Sequence, residues 1–424
     1  MDTATDRLQL ETARFSLCWL FLANCIGLLL ATLLLFPSLG DTMMPLTYGR
    51  WMPLHTEWQL YGWATLPLCG VLFFAFGFNT QPHTQRVRLF HLIWSLALIA
   101  GGMSWLSGHA SGKLFLNWTG FSRIFFVTAL LFLWSLLTHH FVQKETRIGM
   151  SPIERRLKGA LLIGLYTIPI ALFITTRKAG FPPINPESSG ATGHSLLAST
   201  LGVVGIFGVI PRLLIGPSHR PKLPRLFWSL FGMLCGIYVW MHHGNTSNHE
   251  LNQQLGLGSL LVLAPVFILH LRSYDWKPNY RIWLHAFCVF WALLTLNGFT
   301  NFIPGILEQI KFTNAMVAHA HLAMAGCITT FNILVLGHLG NNRRVDRALT
   351  LKPVAFTWIG GLLLYVLTLY GYGYYEAANL HAFYYSDTLT QTAYGLRLIA
   401  GLLMAAASLH WFTALFTSKP IPLK

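Results

Sequence analysis

Apolar runs of about twenty residues recur along almost the whole chain, and few folds can absorb that pattern. A helix crossing a bilayer needs about 20 apolar residues. Twelve such runs lie near 14–37, 56–78, 88–108, 117–139, 158–177, 190–214, 225–244, 254–272, 281–301, 312–338, 353–374 and 392–416. Lipid offers no partner to a backbone N–H or C=O, so each run is expected to be a helix. Of the 424 residues, 54% are hydrophobic and only 10% charged, against about 25% charged in an ordinary soluble domain. The connections are short and no internal repeat is visible. The expected architecture is therefore all-α: a polytopic membrane bundle of about twelve helices forming one membrane domain over 1–424. The first run, from Phe15 to Leu35, lacks a small-residue cleavage site and reads as a retained helix rather than a signal peptide.

Charge orients the helices. The net charge is +15, which on a soluble protein would suggest nucleic acid; here the basic residues sit in short loops, and nucleic acid is not an expected partner. Alternate connections are rich in Lys and Arg: Arg86 and Arg88; Lys144, Arg147, Arg155, Arg156 and Lys158; Arg212, Arg220, Lys222 and Arg225; Arg272, Lys277 and Arg281; Arg343, Arg344, Arg347 and Lys352. The opposite set has only Arg50, Lys113, Arg177, Lys178 and Lys311. This bias places the first set, and both termini, in the cytoplasm. The six cysteines all lie in apolar stretches and none forms CxxC or CxxCH, so neither c-type haem attachment nor a thiolate metal site is expected.

Eighteen histidines are many for such a chain, and position sorts them. Six fall at or within spans, toward the outer side: His55 opening the second helix, His194 near the start of the sixth, His242 and His243 closing the seventh, and His319 and His321 about two turns into the tenth. Ionisable residues in a bilayer are costly and usually face the bundle interior for a functional reason. His319 and His321 point about 200° apart on a helix, so they can serve two centres but not one. His194, His242 and His243 can offer three imidazoles to one metal, and neutral imidazole suits copper, iron and zinc. Taken alone, His55 reads as a packing residue. His139 and His140 read as a solvated helix end, His83, His219 and His249 as loop residues, and His91, His270, His285, His338 and His410 as packing or interfacial residues.

Together these segments resemble subunit I of the haem-copper oxidase superfamily, most closely the C-family, cbb-type oxidases and their nitric oxide reductase relatives, over nearly the whole chain. Tyr48-Gly49-Arg50-Trp51-Met52-Pro53-Leu54-His55-Thr56 is similar to the family's GR-x-x-P-L-H-T stretch, Thr192-Gly193-His194 to the segment bearing the first copper ligand, and Tyr238-Val239-Trp240-Met241-His242-His243 to that bearing the other two. Ala318-His319-Ala320-His321-Leu322 resembles the family's H-x-H, and Arg397 in Tyr394-Gly395-Leu396-Arg397 resembles an arginine near haem propionates. The resemblance implies a low-spin haem, of b type, on His55 and His321; a high-spin haem, also of b type, on His319 alone; and one copper on His194, His242 and His243. A haem with both axial positions filled relays electrons, whereas one with an open face binds a diatomic.

The implied activity is reduction of dioxygen to water. Oxidases of this superfamily draw a fourth electron from a tyrosine, and Tyr238 is the candidate here. It stands four residues before His242, two fewer than in the C-family, so a crosslink to a copper ligand is an open point. Two alternatives stand beside this reading. One is a nitric oxide reductase, with non-haem iron in place of copper; no carboxylate follows His194 in Ser195-Leu196-Leu197-Ala198-Ser199-Thr200, which speaks against the iron-type enzyme. The other is a haem-binding membrane protein without catalysis. The implied partners are a membrane-anchored cytochrome c subunit or another outer-side donor, and the implied location is the bacterial inner membrane. Glu57 is the one acidic residue placed within a span, available to pair with Arg50 or Arg397. Lys113 and Arg123 read as propionate partners or snorkelling residues, and Tyr374, Tyr375, Tyr384 and Tyr385 as an interfacial belt or docking surface. Inner-side protons would have to use groups such as Ser199, Thr200 and Ser229, so weak or absent pumping is expected.

Overall fold

A computed structural model describes residues 3–78, 83–143, 150–176, 196–241, 251–301, 303–383 and 387–417. The described residues are almost entirely helical and include no strand. In chain order the main helices are α1 (Ala4–Leu35), α2 (Tyr48–Glu57), α3 (Leu66–Ala75), α4 (Thr84–Leu106), α5 (Gly120–Val142), α6 (Pro152–Thr175), α7 (Leu196–Leu214), α8 (Lys222–Met241), α9 (Leu251–Leu271), α10 (Arg281–Asn301), α11 (Asn314–His321), α12 (Thr329–His338), α13 (Arg343–Thr350), α14 (Lys352–Ala378) and α15 (Thr388–Ala414). Their starts follow local chemistry. Thr3 and Asp6 form a reciprocal capping box at α1, and Ser151 caps α6 just ahead of Pro152. Asp387 accepts the Thr390 N–H at α15. Each bond satisfies a donor that the first helical turn leaves free.

Ten helices among the described residues are long and apolar enough to cross a membrane, matching ten of the twelve expected runs. The other two differ for identifiable reasons. The second run is broken, because a π-helical stretch, Trp58–Ala64, separates α2 from α3. The sixth is described only from Leu196 onward, and its apolar helix Ser199–Leu214 is shorter than a full span.

A second π-helical stretch, Leu322–Ile328, lies between α11 and α12. Each stretch ends at a threonine that reaches back five residues: Thr65 Oγ1 donates to the Leu60 carbonyl at 2.8 Å and Thr329 Oγ1 to the Met324 carbonyl at 2.9 Å. Each hydroxyl adds a second donor to a carbonyl that already accepts the same threonine's backbone N–H across the wide turn. The two stretches also bond to each other. Trp63 Nε1 donates to Thr329 Oγ1 at 2.8 Å, and Asn332 Nδ2 lies 3.2 Å from the carbonyls of both Trp63 and Ala64. His55 stands three residues before the first stretch and His321 immediately before the second, so this seam sets the mutual register of the segments that carry them.

Close approach does the rest. α1 packs along α15, and α14 along both α15 and α11. At Gly373 a Cβ would fall 2.0 Å from the Ala315 backbone nitrogen, so no side chain fits where α14 presses on the start of α11. The principal apolar core joins α1, α7, α9, α10, α12, α14 and α15; a second core, rich in Trp and Phe, lies among α3, α4 and α5.

Candidate functional site

His55 and His321 face one another across a cavity of about 450 Å³ bounded by α1, α2, α11, α14 and α15. Their ring centroids are 6.1 Å apart and their planes are tilted by only 22°. Both Nδ1 atoms are engaged: His55 Nδ1 donates to the Ala23 carbonyl on α1 at 2.9 Å, and His321 Nδ1 to the Val317 carbonyl at 2.9 Å. A carbonyl can only accept, so Nδ1 carries the proton and Nε2 keeps its lone pair. That is the tautomer a metal needs. The bond alone is not diagnostic, since His91 and His338 make it too; the shared cavity singles out His55 and His321. Imidazole–metal bonds run about 2 Å, and a metal midway between two rings, with the ring radii added, calls for a centroid separation of about 6 Å. The pair therefore fits a metal-centred group, such as a haem, that the two imidazoles would hold between them.

One wall of this cavity is polar. Arg397, only 8% exposed, donates from Nη1 to Asn314 Oδ1 at 3.2 Å and lies 5.6 Å over the Tyr365 ring, which in turn packs 4.3 Å from His321. Asn314 donates to Glu376 twice, through its backbone N at 2.6 Å and Nδ2 at 2.7 Å. A buried cation beside a haem-sized space suits a carboxylate-bearing ligand. Sequence reading misses Glu376 as a membrane carboxylate because the eleventh apolar run ends near 374, whereas α14 continues to Ala378.

His319 lines a different cavity, of about 240 Å³, together with Thr200, Phe207, Trp291, Thr295 and Gly298. α11 thus presents His321 to one cavity and His319 to another, as the two-residue spacing requires. His319 Nδ1 is 2.6 Å from Asn297 Oδ1 on α10, a partner that sequence reading missed. Gly27 was missed as well: a Cβ there would meet His55 Cε1 at 2.8 Å. A small residue facing a histidine leaves no trace in periodicity.

The remaining sequence-derived candidates divide. His194, His242 and His243 lie outside the described residues, as do Tyr384 and Tyr385. Tyr238, on α8, packs against the main apolar core. Glu57 pairs with neither Arg50 nor Arg397: its Oε1 accepts from Asn117 N at 3.0 Å and Asn117 Nδ2 at 2.9 Å, while Arg50 donates to the Leu106 carbonyl. Glu57 sits two residues past His55 and so points away from the haem-sized cavity toward α4 and the Asn117 loop. Lys113 Nζ donates to the Thr175 carbonyl at 2.7 Å, at the C-terminus of α6. Arg123 lies 4.6 Å over the Phe173 ring. His140 is buried rather than solvated, with its ring 4.7 Å from that of His83.

No family model matches the chain. Superposed on a heme-copper terminal oxidase dimer solved by cryo-electron microscopy, it aligns with a TM-score of 0.62, covering 98% of this chain and 84% of that one at 12% identity. The chain has the fold of a haem-copper oxidase subunit I. In sequence the chain is similar to the cbb3-type cytochrome c oxidase subunit CcoN1 of Stutzerimonas stutzeri, at 21% identity over 396 residues, covering 80% of this chain and 77% of that protein. The C-family resemblance seen in the motifs is thus carried by a long alignment as well.

Proposed function

We propose that the chain is the catalytic subunit of a respiratory terminal oxidase that reduces dioxygen to water. The observation that carries this reading is the His55–His321 pair, both rings protonated on Nδ1, with His319, two residues before His321 on α11, lining a second cavity. Bound haems and copper would supply the redox chemistry and an open iron face for a diatomic. The residues do the rest. His55 and His321 would hold one haem, with Arg397, braced by Asn314 and Glu376, near its carboxylates. His319 would hold the second haem. His194, His242 and His243 would hold the copper, and Tyr238 is the residue proposed to donate the further electron and proton. The two-residue step between His319 and His321 would keep the two centres on one helix.

This reading places the chain as a single multi-pass domain in a bacterial inner membrane with both termini in the cytoplasm. It receives electrons from a membrane-anchored cytochrome c subunit on the outer side. The test is a metal and haem count on the purified protein, paired with a reduced-minus-oxidised spectrum under carbon monoxide and a His242→Ala variant. Two haems and one copper, with His242→Ala losing copper and turnover but keeping the low-spin spectrum, is the expected result. Two haems with additional non-haem iron would assign the chain to nitric oxide reduction. One haem or none would assign it to a non-catalytic role.

A further inference from the structure

His319 is the first member of a hydrogen-bonded chain that runs toward the end of α14. Asn297 and Asn301 stand four apart on α10, and Tyr370 and Tyr374 four apart on α14, so each pair shares a helix face. Asn297 Oδ1 lies 2.6 Å from His319 Nδ1 and accepts from Asn301 Nδ2 at 3.1 Å. Tyr370 OH donates to Asn301 Oδ1 at 2.7 Å, and Tyr374 OH lies 3.4 Å from Tyr370 OH. Asn301 is fully buried and Tyr374 is exposed.

A carboxamide has a donor end and an acceptor end, so this chain can be read in two directions. In one, the tyrosine hydroxyl donates to Asn301 Oδ1, Asn301 Nδ2 donates to Asn297 Oδ1, and that same oxygen also accepts from His319 Nδ1. In the other, both amides are turned round and Asn297 presents N–H. Neutral imidazole carries a single N–H. The first direction places that proton on Nδ1 and leaves Nε2 bare; the second moves it to Nε2 and closes that nitrogen to a metal. A tyrosine hydroxyl can donate or accept; here Tyr370 donates to Asn301 Oδ1, which is the first direction.

Taking the functional reading above as given, we propose that Asn297, Asn301 and Tyr370 form a hydrogen-bonded relay that keeps an amide oxygen facing His319 and the imidazole proton on Nδ1, so that its Nε2 would be free to ligate the high-spin haem. These are positioning residues, since none touches the haem or the substrate. The acceptor facing His319 is a neutral amide, so the relay orients the ring without drawing its proton away, as a carboxylate acceptor would.

The test uses the full-length protein and reads the iron–histidine stretching band of the reduced five-coordinate haem by resonance Raman, with haem counted separately. Asn297→Asp, nearly isosteric, strengthens the acceptor and should move the band up. Asn297→Leu removes the acceptor and should move it down, with a fall in high-spin haem affinity of about 10- to 100-fold. Tyr370→Phe should broaden the band or move it down and lower high-spin haem occupancy. The low-spin spectrum from His55 and His321 should be unchanged in all three. Opposite shifts at one position cannot come from general loosening. Wild-type protein with the band, and variants that leave it unmoved, would overturn the relay alone; wild-type protein with no five-coordinate haem would overturn the functional reading together with it.

Discussion

Replacing Gly27 by alanine puts one methyl group against the ring of His55, and its effect can be worked out from the structure. The new Cβ would lie 2.8 Å from His55 Cε1 and 3.1 Å from Nδ1. Carbon atoms rest about 3.5–4.0 Å apart, so either the ring or α1 must retreat by about 1 Å. The ring is the part with a cavity on its far side. Moving there would take Nδ1 from 2.9 Å to the Ala23 carbonyl to beyond about 3.5 Å, where a hydrogen bond no longer counts. Overpacking of this kind costs about 1–3 kcal/mol and the lost bond about 1 kcal/mol. At about 1.4 kcal/mol per factor of ten, 2–4 kcal/mol is a roughly 30- to 1000-fold loss of affinity for the haem proposed between His55 and His321. The assay is the low-spin band in the reduced-minus-oxidised spectrum, normalised to protein and to total haem. Gly360→Ala on α14 is the control, because a Cβ there meets nothing within 4 Å. Full low-spin haem content and an unshifted band in Gly27→Ala would show that the ring is not held against α1 as described.

Trp63→Phe removes the indole bond to Thr329 that stitches the two π stretches together; it should cost about 1–3 kcal/mol, seen as a lower unfolding temperature in detergent and a broadened low-spin electron paramagnetic resonance signal. Lys113→Met deprives the Thr175 carbonyl of a charged donor and should cost about 1.5–3 kcal/mol, with earlier proteolysis near the end of α6 as the readout. At Asp387 the Thr390 backbone N–H, bonded at 2.8 Å, holds the carboxyl below its ordinary value. Its stabilising effect is therefore present above the usual carboxylate pKa and lost as pH falls through the lowered one. The difference in melting temperature between wild type and Asp387→Ala should shrink below about pH 4; a gap independent of pH would contradict the assignment. In liposomes, the ratio of protons moved to electrons transferred should not exceed what the chemistry consumes.

Local pattern carried much of this protein in plain view. Runs of apolar residues marked the spans because a bilayer imposes its thickness on any helix that crosses it. The two-residue step from His319 to His321 placed them on opposite faces of a helix. All of these are consequences of helical geometry within one segment, so no knowledge of neighbours was needed. The same logic fell short at Glu57: a carboxylate in a membrane helix announces that it needs a partner, but Asn117 lies sixty residues away across a helix crossing, and the nearby arginines looked equally suitable.

What the amino-acid order determined alone is a bundle of apolar helices with imidazoles at defined positions and faces. Only the tertiary structure decided that the rings of His55 and His321 stand 6.1 Å apart, that Ala23 and Asn297 set their own histidines' protons, and that Gly27 and Gly373 admit the helices that close. The reason is physical. Periodicity records which side of a helix is buried, whereas a separation between two rings depends on where helices cross, how far a π turn has shifted their register, and how closely two backbones can approach.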